Sequence, residues 1–204
     1  MKPKALLPMT RMWLRMRRSA RDLSGDCRGL AAVEFAMIVP LMLVLFFGTV
    51  EFSSGIAVDR KVTIMARTLS DLTSQNISVT DTLLTNIFNA STGIMTPYST
   101  TPVNSTITEL YVDPTTKVAR VQWSKGSSAR AAGTPVTIPT ALQVGGTFLI
   151  FSEVSYKYTP AVGFVMTKSG ITMSDFTYTR PRQSTCVINP TPAAGSPSPP
   201  CPTS

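Results

Sequence analysis

Few side chains in this chain of 204 residues are of a kind that does chemistry, and their spacing narrows the choice further. Histidine is absent, which removes the commonest general base and metal ligand. The three cysteines, Cys27, Cys186 and Cys201, lack the paired spacing of a metal site, and no glycine-rich loop follows a strand pattern to cradle a phosphate. Asp59, Glu153 and Asp175 fall in patterns that fit solvated faces, and the many serines and threonines have no candidate base beyond scattered lysines. No catalytic, metal or cofactor residue is therefore expected, and no small-molecule substrate. One carboxylate differs. Glu34 stands five residues after Gly29 in GLAAVEFAMIVPLMLVLFFGTV and is the one charge in residues 30–50. A carboxylate in a membrane span costs up to about 3 kcal/mol at the bilayer centre and marks function by default, although one turn from the end it can snorkel.

The element that must carry Glu34 is a helix. Residues 30–50 rise about 31 Å as a helix, which matches a hydrocarbon core of about 30 Å. Residues 35–50 are apolar nearly all round, whereas a buried helix of a soluble domain needs only a stripe. Pro40 is expected to kink the span modestly, since membrane helices repair the lost hydrogen bond locally. Before the span, residues 1–29 form a basic leader. Eight of the 19 basic residues lie there, against Asp22 and Asp26, while beyond Glu34 there are 11 basic and 8 acidic residues. This asymmetry predicts a cytoplasmic amino-terminal side and a carboxyl-terminal domain across the membrane. It also accounts for the net charge of +8 without nucleic acid. Residues 11–18, RMWLRMRR, read either as a short helix on the membrane surface or as a disordered basic leader. The long apolar run and the poor exit site after it favour a retained anchor over a cleaved secretory signal.

After the span, Gly55, Val58, Val62, Met65, Leu69 and Leu72 recur at intervals of three and four, so the helix is expected to continue to about Ser74. Thr80 or Asp81 caps a second helix with Leu83, Leu84, Ile87 and Phe88 on one face, ending near Gly93. From Ser105 the period becomes two. Leu110 and Val112 alternate with Glu109 and Tyr111, residues 113–116 make a turn, and Ala119, Val121 and Trp123 return with Arg120 and Gln122 between them. An edge piece is expected around residues 136–138. Residues 147–158 form the best strand, with Phe148, Ile150, Val154, Tyr156 and Tyr158 on one face and Glu153 and Lys157 on the other. Residues 161–169 are ambiguous, and a last strand covers about residues 171–179. The fold class is thus α+β and membrane-anchored: a long amino-terminal transmembrane helix continues into a periplasmic helix packed on a small antiparallel β-sheet. Residues 51–188 form that domain, and residues 189–204, with six of the 16 prolines, form a flexible tail. Across the membrane, in an oxidising compartment, Cys186 and Cys201 are candidates for a disulfide worth about 3 kcal/mol, free thiols being the alternative. Cys27 reads as an inert reduced thiol, with lipidation the other reading.

Gly29, Leu30 and Glu34, set between a basic leader and an apolar run, resemble the type IV prepilin processing site. More closely, RGLAAVEFAMIVPLMLVLFFGTVEF followed by VDRKVTIMARTLSDLTSQ resembles the amino terminus of the TadE/TadG-like proteins of tight-adherence (Flp) pilus systems, and SEVSYKYTP with YTRPR resembles that family's closing strands. The resemblance covers residues 28–75 and 152–182. It implies a pilin-like architecture and a structural role as a minor pseudopilin or assembly factor in the bacterial inner membrane. The implied partners are other pilus-assembly proteins or pseudopilins, and a prepilin peptidase that cuts after Gly29. In prepilins the glutamate so placed compensates a neighbouring subunit's new terminal amine, which here falls to Glu34 and Leu30. Leu30 departs from the Phe or Met that opens many mature pilins, so processing and retention both stay open. The rival reading is an uncleaved single-pass periplasmic binding or envelope-scaffold protein that enters no filament.

Overall fold

The computed structural model describes residues 28–160, 170–190 and 201. The expectations for residues 1–27, including the surface segment and Cys27, for 161–169, and for most of the tail lie outside the described residues. The chain divides into two compact units, one up to Gly48 and one from Thr49 onward.

Helix α1 spans Arg28–Ser74, 47 residues with Pro40 inside it. In the first unit its apolar side chains are exposed all round, from Leu30 to Phe47. In the second unit the same helix is amphipathic, and the expected stripe is the buried one: Val58, Val62, Met65 and Leu69 are fully buried, Gly55 is buried, and Leu72 packs against them. Helix α2, Asp81–Thr92, is capped by Thr80, whose hydroxyl accepts from the Leu83 N–H at 3.2 Å. Leu84 and Ile87 are buried, with Leu83 and Phe88 packed beside them. A 3-10 turn, Gly93–Met95, follows. The Lys61 ammonium donates to the Ile94 and Thr96 carbonyls, both at 2.8 Å, and so ties the end of this segment to α1.

Strands β1 (Val103–Val112), β2 (Ala119–Gly126), β3 (Pro135–Val136), β4 (Phe148–Tyr158) and β5 (Ile171–Thr179) form one antiparallel sheet in the order β3-β2-β1-β4-β5. The β1–β2 turn is set by Asp113, whose carboxylate accepts the Thr115 and Thr116 N–H groups, both at 2.8 Å. At its far end Gly126 has φ 128°, and a Cβ there would stand 2.2 Å from the Ser105 carbonyl oxygen, so only glycine fits.

Each face of the sheet carries a core cluster. Ile107, Trp123, Ile150, Val154, Tyr156 and Tyr158 face the α1 stripe, and the Ser152 hydroxyl donates to the Ala66 carbonyl at 2.6 Å in that seam. On the other face Leu110, Val112, Ala119, Val121, Leu149 and Phe151 pack under Ile138 from the β3–β4 connection.

One sequence expectation is corrected by this arrangement. Trp123 does not share a face with Ala119 and Val121. The register shifts between Glu109 and Leu110, so Glu109 pairs with Trp123 and Leu110 with Val121, leaving Gln122 as the extra residue of a bulge. The bulge turns Trp123 to the α1 side. Glu109 lies on the opposite face from Leu110, as the alternation predicts, and that face is core, the residue being 1% exposed.

Candidate functional site

Gly29 and Leu30 lie in the first turn of α1, and Glu34 follows Leu30 by four residues, which puts the two on one face of the helix. Leu30 is 62% exposed and Glu34 is exposed. A Cβ on Gly29 would meet nothing within 4 Å among the described residues. Among the described residues α1 is the one helix long and apolar enough to cross a membrane, and none of its most apolar stretch is buried. Pro40 sits within the helix without ending it.

Cys186 and Cys201 are joined by a disulfide with Cα atoms 5.7 Å apart, and Cys186 is fully buried. Cys186 belongs to a strap, residues 182–190, that the sequence pattern did not reveal. The Arg182 N–H donates to the Ser74 carbonyl at 2.9 Å, satisfying an orphan acceptor at the end of α1. Val79 N–H donates to the Ile188 carbonyl and Ile188 N–H to the Ile77 carbonyl, at 2.8 and 2.9 Å. In its middle, the Val187 N–H donates to the Glu109 carboxyl at 2.6 Å, and the Trp123 indole N–H donates to the Val187 carbonyl at 2.8 Å. Burial pushes the Glu109 carboxyl up to about 8, outweighing the hydrogen bonds from Val187 and Trp123 that favour its charged form. With its side chain closed off in the core, Glu109 anchors the strap rather than facing a substrate. The signal that would have exposed it is the pairing of a strand glutamate with a buried tryptophan, legible only once the bulge is known.

Glu153, expected in solvent, is instead held by Arg130, which donates to both carboxylate oxygens, one at 2.8 Å. The guanidinium also lies 5.4 Å from the centre of the Phe151 ring. Asp59 is exposed, and Asp175 accepts the N–H of Phe176 at 2.8 Å. Among the described residues no three His, Cys, Asp or Glu side chains converge as metal ligands would.

The geometry therefore concentrates on the apolar half of α1 and the residues that open it. The family model described as TadE-like protein matches residues 29–69, about a fifth of the chain, beginning at Gly29 and ending at the buried Leu69. No curated protein and no solved structure matches the chain.

Proposed function

We propose that this chain, TadE-like over residues 29–69, is a membrane-anchored structural component of Tad (Flp) pilus assembly, acting as a minor pseudopilin or assembly factor. The observation that carries this reading is the coincidence of the family match with one helix, α1, whose first part exposes an apolar surface and whose later part is built into the sheet domain. The span crosses the bacterial inner membrane once, with the basic leader in the cytoplasm and residues 51–188 in the periplasm. The concentration of basic residues before Glu34 supports that orientation. The role is structural rather than catalytic, and the partners are other pilus-assembly proteins or pseudopilins.

The mechanism follows from Gly29, Leu30 and Glu34. Cleavage after Gly29 gives Leu30 a positive amine one helical turn from Glu34. A carboxylate in the span is costly alone and favourable beside a cation, so a neighbouring subunit docks best where its terminal amine meets Glu34. The intact mass and amino-terminal sequence of the protein from its native membrane test this step. A start at Leu30 is expected. A start at Met1 overturns processing and leaves an anchored assembly factor.

A further inference from the structure

The sheet face turned away from α1 carries a second site. Register places Asn104, Ser155 and Ser174 in one row across β1, β4 and β5, and Thr106, Glu153 and Phe176 in the next. Arg130, from the connection after β2, reaches over these rows to Glu153, and together they wall a pocket of about 250 Å³. Phe176 stands at its side. That ring is 58% exposed, yet it is braced edge-on against Phe151 and Tyr178, whose own rings stack at 4.6 Å.

The chemistry of this pocket is specific. Arg130, the cation that lines the pocket, is already neutralised by Glu153, which disfavours phosphate, carboxylate and nucleic acid. The side chains of Asn104, Ser155 and Ser174 have no hydrogen-bond partner among the described residues. An apolar ligand would strip water from these groups and leave them unpaired. A neutral ligand dense in hydroxyls satisfies them, because each hydroxyl both donates and accepts. A ring with an apolar C–H face also gains contact with the Phe176 ring. We propose that this pocket binds a pyranose ring of a glycan, with Phe176 as its stacking platform and Asn104, Ser155 and Ser174 as its hydroxyl partners. The site lies within the unit Thr49–Ser204 and does not depend on the pilus reading.

Saturation-transfer NMR on the full chain in lipid nanodiscs, free of sugar-headed detergent, tests it with chitotetraose, cellotetraose and maltotetraose in turn. Saturation of ring C–H protons is expected for at least one of them, with a dissociation constant on the order of 1 mM. Phe176→Ala should weaken that binding roughly fivefold while the chain stays folded at the assay temperature, since the ring is 58% exposed and its loss removes edge-on contacts but no buried core residue. Ser155→Trp, which fills the pocket, should abolish it. No transfer to any of the three sugars, or transfer that survives both substitutions, overturns the proposal.

Discussion

Glu109 shows how one residue links burial to pH. In the unfolded chain its carboxyl has an ordinary value near 4.5, whereas the folded core holds it at about 8. Between those values the folded state keeps a proton that the unfolded state has lost. Stability from this group is therefore fully present below about pH 4.5, falls as pH rises, and is gone above about pH 8. The slope for one proton is about 1.4 kcal/mol per pH unit. Asp113 has the opposite sign: the N–H groups of Thr116 and Thr115 lower its value, so its contribution is lost only at acid pH and does not overlap this window. Urea unfolding of the oxidised full chain carrying Trp13→Phe, so that fluorescence reports Trp123 alone, should show the Glu109 slope between pH 5 and 8. Glu109→Gln should remove it, since the amide oxygen still accepts from Val187 but cannot ionise, and should raise stability at pH 8. An unchanged slope in that variant would assign it to another group.

At the scale of elements, the sequence is most legible where one face is apolar and the other wet. The α1 stripe from Gly55 to Leu72 is visible because a helix on a sheet buries one side at a period of 3.6, and α2 follows the same logic. Strands β1 and β4 are less legible. Both lie inside the sheet with buried residues on each face, so alternation gives the parity of a residue but not whether its face meets water. Parity put Glu109 opposite Leu110 correctly, and only the packing of α1 and the strap shows that its face is core. The bulge at Gln122 is invisible for a different reason, since one inserted residue reverses parity without changing composition. The strap is hidden because it is irregular, held by backbone bonds to residues far earlier in the chain. For the candidate site, Gly29, Leu30 and Glu34 are legible as a spacing, while the Arg130–Glu153 pocket requires the register. The helix stripe makes a direct contrast. Met65→Ala, at a fully buried position, should cost about 2–5 kcal/mol, whereas Ile64→Ala, at a position 51% exposed, should stay within about 0.5 kcal/mol. Equal losses from thermal or urea unfolding of the two variants would mean that α1 does not pack on the sheet in this register.

For the whole molecule, the span and the sheet domain respond to different substitutions, and that separates anchoring from assembly. Insertion requires an apolar stretch of sufficient length, which residues 30–50 supply with alanine at position 34 as well as with glutamate. Replacing Glu34 by alanine removes a charge from that environment, so insertion should be kept or improved. The domain should also be untouched, because its core begins beyond residue 48 and Glu34 is exposed. Pairing with a neighbour's terminal amine is the one proposed role that alanine removes. Cells carrying Glu34→Ala should therefore show the protein in the membrane fraction at the usual level, with an unchanged unfolding midpoint. Pili, and pilus proteins isolated with it, should fall by about an order of magnitude, as expected for loss of an ion pair worth about 1.4 kcal/mol or more in the bilayer. Equal piliation at matched membrane levels would remove the carboxylate from assembly and leave the span as an anchor alone.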